Sequence, residues 1–549
     1  MSGLHARWVA CAPASSRRPS RRHHKRTEQL VQTGPFRTHS GSPVRAAVSL
    51  RWPHEWRRFA PYASPFEDAT MSTMDDSVSI VQVAQQARQA ALLWQTLPAE
   101  AKDQALLAVR DALAKQREAI LAANRTDLND AEALCQEGKL DRVLLKRLDL
   151  NGAGKFDTLL AGIDQLRALS DPVGRVTLAT ELAADGLELY RVTCPIGVIC
   201  VIFESRPDAL VQIGTLGLKS ANAVVLKGGR EATATNQALT AAMRQGIERS
   251  LGPRYTNALQ LITTRAEIAE LLKLDQYLDL VVPRGSQALV RYIKANTLVP
   301  VLGHADGLCA CYIDDEADAD KAVRIVVDSK TQYPAACNAL ETLLCHRRAM
   351  ERGVLGQIAM ALWQLNVELR ADDAAYAHLR HLLSTAANGS GYDRYLKKAT
   401  TEDWDTEFLD YIMAVRVVDS PEEAMAHINE HGSHHTDCIV TENAATAERF
   451  LAGVDAAGVY HNASTRFADG FRYGFGSEVG ISTNRIHARG PVGLEGLVTY
   501  KYRLYGQGHV VGDFATGVKQ FTHRPIPARW RPEWVALSQQ ASQMMHHGP

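Results

Sequence analysis

Apolar strand-like runs alternate with helical patterns over residues 196–303. The runs Ile196–Phe203 and Ala223–Lys227 are mostly apolar, and Leu278–Val282 repeats this character further along the chain. Amphipathic segments with a period near 3.6 lie between them, as in helices that cover a sheet. Strands that are apolar on both faces and separated by helices predict a parallel sheet with helices on each side.

A second series of the same kind follows, from about residue 306. Its predicted strands are Ala310–Ile313, Leu340–Leu344, Ala414–Val418, Cys438–Thr441 and Gly458–His461. Before the first series, Val78–Leu169 has helical periodicity. Arg175–Val192 has strand character with a turn at Ala184–Gly186, which predicts a hairpin. The expected fold class is therefore α/β, with two α/β domains whose sheets are rich in parallel strands.

Composition limits the functions that such a chain can have. Of 549 residues 46% are hydrophobic, and Lys plus Arg equal Asp plus Glu at 61 each, so the formal net charge is zero. A chain that bound nucleic acid or a membrane surface along its whole length would carry a basic surplus. Nine scattered cysteines are too few for a disulfide scaffold and are typical of a reducing compartment. These features predict a soluble intracellular enzyme.

Residues 1–70 differ from the rest of the chain. They contain eleven Arg and one Lys against four acidic residues, and they lack helical or strand periodicity. Such a segment buries too little apolar surface to offset its ordering entropy, so we expect a disordered basic extension. An extension without function is favoured over a transit peptide or a nucleic-acid-binding arm. The expected location is cytoplasmic, or organellar if the segment is a transit peptide.

Polar or glycine-bearing segments follow three strands of the first series. They are Glu204–Pro207, Lys227–Arg230 and Pro283–Ser286. Ligands of parallel α/β sheets bind beyond the carboxyl ends of the strands, so these segments predict a nucleotide site at this edge. A lysine before two glycines suits phosphate or ribose hydroxyl groups, although a simple turn fits the same residues. No G-x-G-x-x-G loop and no zinc-ligand spacing is present in the sequence, so no metal site is expected.

Cys337 is the cysteine whose surroundings best fit a nucleophile. Small residues flank it, Pro334 stiffens the approach, and Asn338 offers amide donors. A nucleophilic cysteine needs access, an environment that favours the thiolate, and donors for an oxyanion. The alternative is that a cysteine is only a small buried apolar residue. That alternative fits four others better: Cys194, Cys200, Cys311 and Cys345.

Several groups of residues, in collinear order, together resemble one family. They are Cys194–Val198 with Phe203–Pro207, Leu226–Ala232, Val282–Ser286, Lys330–Gln332 with Cys337–Thr342, Asn462–Phe467, His487–Pro491 and Thr499–Tyr502. Over roughly residues 78–508 the chain is similar to the gamma-glutamyl phosphate reductases (glutamate-5-semialdehyde dehydrogenases), a branch of the aldehyde dehydrogenase superfamily. The number of independent motifs makes this resemblance specific.

The resemblance implies NADPH-dependent reduction of L-glutamyl 5-phosphate to glutamate 5-semialdehyde, with release of phosphate, in proline biosynthesis. Cys337 would be the nucleophile that carries the acyl group as a thioester. Its backbone N–H would be one oxyanion donor, and Ser205 and Asn338 are the candidates for the second. Arg206, Arg466 and Arg489 are candidate anchors for the substrate phosphate or α-carboxylate, with a structural ion pair as the alternative for each.

The same resemblance assigns the NADP cofactor. Lys227 would contact the adenosine ribose and its 2′-phosphate, and Glu407 would hold the nicotinamide ribose. The other cofactor residues that it implies are Gly228, Gly229, Arg230, Gly285 and Ser286.

One departure from the wider superfamily bears on the reaction. Hydrolytic aldehyde dehydrogenases use a glutamate in a Glu-Leu-Gly-Gly run to activate water, and the corresponding run here is His304–Gly307. A reductase must keep water from the thioester, so loss of that carboxylate base fits the chemistry. A hydrolytic aldehyde dehydrogenase and a non-catalytic structural relative are the two alternative functions.

The family's architecture, together with the composition of the two ends of the chain, predicts the domain boundaries. They are a disordered extension 1–70, a cofactor domain 71–306 whose hairpin 172–195 joins an oligomerisation element, a catalytic domain 307–494, a return segment 495–510 and an irregular tail 511–549. We expect a homo-oligomer. The segment before Val78 has about 75 residues, which is too few for a kinase domain. A transient complex with a separate glutamate 5-kinase is therefore expected.

Overall fold

The computed structural model describes residues 79–140, 142–152, 154–204, 206–303, 306–385 and 391–530. These residues all belong to one compact unit. Ser205, His304 and the predicted basic extension lie outside the described residues. None of the helices in the described part of the chain is long and apolar enough to cross a membrane.

Five helices open the described chain, as the periodicity of this region predicts. They are α1 Ile80–Trp94, α2 Ala99–Lys115, α3 Arg117–Gln136, α4 Arg142–Leu148 and α5 Lys155–Ala168. Helix α1 begins with a capping box between Ser79 and Gln82, which satisfies two N-terminal amides. Its apolar face is buried, and Trp94 Nε1 donates to the carbonyl of Tyr255 at 3.0 Å. This hydrogen bond links α1 to the segment around Tyr255, which connects two elements of the first α/β series.

The predicted hairpin is confirmed. Strands β1 Val176–Ala183 and β2 Leu187–Pro195 pair antiparallel. The turn between them places Gly186 at a φ of +98°, a backbone conformation that residues with a Cβ rarely adopt.

The first α/β series forms an all-parallel sheet, as predicted. Its strands are β3 Val198–Phe203, β4 Ala223–Lys227, β5 Leu259–Ile262 and β6 Leu280–Arg284, in the order β5-β4-β3-β6. Its helices are α6 Pro207–Lys219, α7 Thr233–Leu251, α8 Arg265–Leu271 and α9 Gln287–Ala295. The apolar run Val299–Gly303, predicted as a strand, forms only an isolated bridge between Val281 and Val301.

The second series forms a seven-stranded parallel sheet in the order β10-β9-β11-β8-β7-β12-β13. The strands are β7 Cys309–Ile313, β8 Leu340–His346, β9 Glu368–Ala371, β10 Leu396–Lys398, β11 Ile412–Val418, β12 Thr436–Val440 and β13 Gly458–His461. The helices are α10 Ala319–Thr331, α11 Arg347–Glu351, α12 Val354–Gln364, α13 Asp373–Thr385, α14 Pro421–His431 and α15 Ala444–Gly453. The sequence pattern missed β9 and β10, which are short and carry charged residues.

The last elements return to the hairpin. They are β14 Ile481–Ser482, β15 Gly490–Pro491, β16 Val498–Tyr505, α16 Val511–Ala515 and β17 Arg524–Pro525. Strand β16 pairs with β2 and β17 with β1, which gives a small antiparallel sheet. The described part of the segment predicted as an irregular tail therefore contains a helix and a strand. Trp530, which stacks on Tyr190 at 5.3 Å between ring centroids, holds it against the sheet.

Candidate active site

Cys337 lies on a turn that connects α10 to β8. Helix α10 begins at Asp318, whose carboxylate accepts from the Lys321 amide at 2.9 Å, and the chain leaves the helix after Thr331. The Ala339 N–H donates to the Ala336 carbonyl at 2.8 Å and closes the turn around Cys337. The Cys337 side chain is half-buried, whereas five of the eight described cysteines are buried. The turn thus leaves this thiol partly exposed, just before the first residue of β8.

Two backbone N–H groups on this turn are free to donate. Among the described residues, neither the Cys337 nor the Asn338 amide has an acceptor. The segment after the first sheet passes close behind them, because a Cβ on Gly307 would lie only 2.1 Å from the Cys337 carbonyl oxygen. Only glycine allows this approach. Free amides beside a thiol are the donors that an oxyanion requires.

Asn338 ties the turn to the loop that follows β13. Its Nδ2 donates to the Ala468 carbonyl at 2.8 Å, and its own carbonyl accepts from Thr465 Oγ1 at 2.7 Å. The side chain is 5% exposed. Ser329 on α10 joins the same network, since its hydroxyl accepts from the Thr465 N–H at 3.2 Å. These bonds favour a positioning role for the Asn338 amide over the oxyanion role considered from the sequence.

A buried ion pair spans the two ends of the turn. Lys330 Nζ lies 2.8 Å from Glu341 Oε2, and the two side chains are 0% and 1% exposed. The Leu409 N–H donates to the second carboxylate oxygen at 3.3 Å. Burial raises the pKa of Glu341 to about 7 against the attraction of Lys330, and the charge of nearby Glu407 raises it further. Burial likewise lowers the pKa of Lys330.

The three predicted arginine anchors have different surroundings. Arg466 is 8% exposed and its Nε donates to Gln332 Oε1 at 2.9 Å. Burial and then Arg472 lower its pKa, while the negative charge of a Cys337 thiolate opposes this. Arg206 is exposed, immediately before α6.

Arg489, by contrast, forms an ion pair. Its guanidinium lies 2.9 Å from the carboxylate of Asp455, and Arg485 contacts the same carboxylate. This is the structural ion pair that the sequence left open as the alternative for Arg489. The structure therefore brings Arg466 into charge–charge range of Cys337 and gives Arg489 a carboxylate partner of its own.

The predicted cofactor residues other than Glu407 follow the carboxyl ends of β4 and β6, whereas Glu407 lies in the second series, near Glu341. Lys227 is the last residue of β4 and is 9% exposed. Gly228 packs tightly, since a Cβ there would lie 2.1 Å from Asn236 Nδ2. Gly229 leads into a short 3-10 turn that begins at the exposed Arg230. These residues form one end of the nucleotide edge predicted from the sequence.

The start of α9 already binds an anionic oxygen. The Ser286 N–H donates to Glu204 Oε2 at 3.1 Å, and a Cβ on Gly285 would lie 2.6 Å from the same oxygen. Backbone amides at a helix start suit phosphate for the same reason that they suit this carboxylate. The residues present therefore fit a dinucleotide pyrophosphate. The role of Glu204 here was not found from the sequence, although the residue lies in one of its motifs.

Comparisons with known proteins agree with this geometry. A model of the aldehyde dehydrogenase family matches residues 55–377. The chain is 47% identical over 451 residues to a probable gamma-glutamyl phosphate reductase of Schizosaccharomyces pombe, which covers 82% of this chain and 98% of that one. It is 52% identical over 443 residues to a gamma-glutamyl phosphate reductase of Synechococcus sp. strain JA-2-3B'a(2-13), which covers 80% and 93%.

A solved structure extends the comparison to the fold. The gamma-glutamyl phosphate reductase of Thermotoga maritima matches with a TM-score of 0.72 at 37% identity, over 79% of this chain and 100% of that one. Chain and relatives thus correspond over almost the whole length of the relatives.

Proposed function

The chain belongs to the aldehyde dehydrogenase family, and we propose that it reduces L-glutamyl 5-phosphate to glutamate 5-semialdehyde with release of phosphate, in proline biosynthesis. The names of its relatives at 47–52% identity support this substrate. The observation that carries the chemistry is the half-buried Cys337 thiol on a turn where neither the Cys337 nor the Asn338 N–H has an acceptor among the described residues. A soluble cysteine-dependent oxidoreductase of this family needs that combination.

In the proposed reaction, the residues of the site act on the acyl group in consecutive steps. The Cys337 thiolate attacks the acyl carbon, the carbon–oxygen bond to phosphate breaks, and phosphate leaves with the bonding electrons. The backbone N–H groups of Cys337 and Asn338 donate to the oxyanion that forms. NADPH, when bound, supplies the hydride that reduces the thioester. The thiolate is the leaving group that releases the aldehyde, so the enzyme returns to its starting state.

We propose NADP as the cofactor, held by Lys227 and Arg230 at the adenosine end, by the Gly228–Gly229 and Gly285–Ser286 backbone, and by Glu407 at the nicotinamide ribose. Replacing Lys227 with methionine is expected to lower kcat/KM for NADPH by about 10- to 100-fold, because a cation that binds a phosphate makes charge-assisted hydrogen bonds. The value for NADH should fall much less, since NADH lacks the 2′-phosphate. Steady-state kinetics with both cofactors measure this difference.

Lys273→Met is the matched control for that variant. Lys273 is an exposed lysine in the same part of the fold, just after α8. Its replacement should leave both kcat/KM values unchanged. An equal loss with NADPH and NADH in Lys227→Met would contradict the 2′-phosphate assignment.

Phosphate dependence separates the proposed function from its alternatives. With semialdehyde and NADP, the wild-type chain should form NADPH only when inorganic phosphate is present, because phosphate must take the acyl group from Cys337. A hydrolytic aldehyde dehydrogenase would release a carboxylate without phosphate. A non-catalytic relative would show no NADPH binding by calorimetry. Either result would refute the proposal.

We also propose a cytoplasmic homo-oligomer. Strand β16 lies at the edge of the small sheet and exposes Tyr500, Tyr502 and Leu504, each more than half exposed. Exposed apolar residues on an edge strand favour pairing with a second copy. Sedimentation of the wild-type chain tests this, and a monomer at micromolar concentration would refute it. A transient complex with glutamate 5-kinase completes the proposal, and an absence of both co-purification and channelling would refute that part.

A further inference from the structure

A buried thiol that no step of the proposed reaction uses contacts the turn that carries Cys337. Cys309 is the first residue of β7 and is 0% exposed. Its Sγ donates to the backbone carbonyl of Cys337 at 3.4 Å, across a separation of 28 residues in the sequence. Among the described residues this carbonyl accepts no other hydrogen bond. Cys309 therefore binds the peptide group of the nucleophile itself.

The backbone on both sides of Cys309 is held in place. The Leu308 N–H donates to Ser433 Oγ at 2.8 Å, just before β12. The Ala310 N–H donates to Asp437 Oδ1 at 2.8 Å, on β12. The thiol thus stands on a strand start that cannot shift without breaking these two bonds.

The Cys309 thiol keeps its proton at neutral pH. Burial raises the pKa of this thiol well above its ordinary value, and the negative charges of Asp437 and of a Cys337 thiolate raise it further. The Thr436 N–H opposes the shift by hydrogen bonding to the sulfur. A sulfur that accepts from a backbone N–H still has its own S–H to donate, although a thiol is a weak donor.

The bond to the Cys337 carbonyl fixes the direction of the following N–H. The peptide unit between Cys337 and Asn338 is planar, and its C=O and N–H groups point in opposite directions. Because the carbonyl is directed at Cys309, the Asn338 N–H points away from Cys309, where it has no acceptor among the described residues. Gly307 packs against the same carbonyl, since a Cβ there would lie 2.1 Å from its oxygen. A rotation of this peptide would break the bond to Cys309.

We propose that Cys309 is a positioning residue that orients the Asn338 N–H as an oxyanion donor for the chemistry at Cys337. This inference rests on the proposed function, in which that N–H donates to the oxyanion, and deepens it. A donor stabilises a transition state most when it already points to the place where the charge develops. Cys309 supplies no proton or electron pair to the reaction, so its effect is confined to steps that form an oxyanion.

Two reagents that react with the same sulfur test this role in the full chain. p-Nitrophenyl acetate acylates the Cys337 thiolate through a tetrahedral oxyanion and expels p-nitrophenolate. Iodoacetamide alkylates the thiolate by displacing iodide, and no oxyanion forms. In Cys309→Ala the rate of acylation should fall about tenfold, while the rate of alkylation stays within about twofold. Mass spectrometry of the peptide that contains residue 337 measures both rates.

The expected loss is smaller than the about 10²- to 10³-fold loss caused by removing an oxyanion donor, because the Asn338 N–H remains present. Turnover should show the same selectivity. With semialdehyde, NADP and phosphate, Cys309→Ala should lower kcat about tenfold and leave the KM values for NADP and phosphate within about twofold.

Three further variants control for packing. Cys309→Ser keeps a hydroxyl that can donate to the Cys337 carbonyl, so its acylation rate should lie between those of the wild type and Cys309→Ala. Cys311→Ala removes an equally buried thiol from the same strand and should leave both rates unchanged. If Cys309→Ala does not fold, Cys309→Val takes its place, because valine fills the space of the thiol but donates nothing.

The outcomes separate this inference from the proposed function. A wild type without phosphate-dependent NADPH formation refutes the proposed function, and the acylation and alkylation rates still decide the role of Cys309. An unchanged acylation rate in Cys309→Ala refutes the inference alone. An equal loss of acylation and alkylation would also overturn it, because the thiol of Cys337 itself would then be the group affected.

Discussion

Replacement of Cys337 with serine is expected to lower kcat by more than about 10³-fold, the scale of loss seen when a covalent nucleophile is removed. A serine hydroxyl stays protonated at neutral pH and cannot attack the acyl carbon as a thiolate does. The turn that carries residue 337 is held by backbone and Asn338 bonds that serine keeps, so the fold should not change. The measurement is NADPH formation from semialdehyde, phosphate and NADP.

The controls for this variant separate chemistry from binding. Cys135→Ser, at a half-buried cysteine on α3, should keep wild-type turnover. Cys337→Ser should bind NADPH with the wild-type dissociation constant in calorimetry. Turnover near that of the wild type in Cys337→Ser would remove this thiol from the mechanism.

The largest effect on stability is expected at the buried pair under the turn. Lys330→Met should lower the free energy of unfolding by about 3–5 kcal/mol at pH 8, because it leaves the Glu341 carboxylate buried without its partner. Urea denaturation followed by circular dichroism measures the loss. Activity should fall as well, because Lys330 and Glu341 bracket the residues that position Cys337.

The pH dependence of this loss follows from the sign of the shift at Glu341. Burial holds the pKa of Glu341 at about 7 even with Lys330 present, above the ordinary glutamate value of 4.5. Without the lysine the pKa should rise further. A carboxyl group whose pKa is raised on folding makes the protein less stable as the pH increases from the unfolded-state pKa to the folded-state pKa. Lys330→Met should therefore be less destabilised at pH 5 than at pH 8.

An exposed pair provides the comparison. Lys321 and Glu442 lie 2.8 Å apart with side chains 48% and 49% exposed. Lys321→Met should lower the free energy of unfolding far less than Lys330→Met at either pH, since water screens such an exposed pair. The double variant Lys330→Met with Glu341→Met should regain much of the stability lost in the single variant. Equal losses of unfolding free energy in Lys330→Met and Lys321→Met would show that burial does not determine how much the ion pair contributes to stability.

Much of the fold could be predicted because its strands are buried on both faces. Strands β3, β4 and β8 are uniformly buried, so their apolar runs stand out in the sequence. Strands β9 and β10 lack that signal, because they have four and three residues and carry charges such as Lys397 and Lys398. Strand β17 exists only through its pairing with β1, which no local pattern indicates. The domain boundaries placed at 71–306 and 307–494 remain predictions.

The amino-acid sequence alone showed which residue types stand at strand ends and which cysteine lies among small residues, because both features depend only on neighbours in the sequence. It could not rank the arginines, since the role of a guanidinium depends on the charges near it in space. In the folded chain Arg489 contacts the carboxylate of Asp455, whereas Arg466 is buried and donates to Gln332. Packing between residues that are far apart in the sequence decides these contacts, so only the tertiary structure shows them.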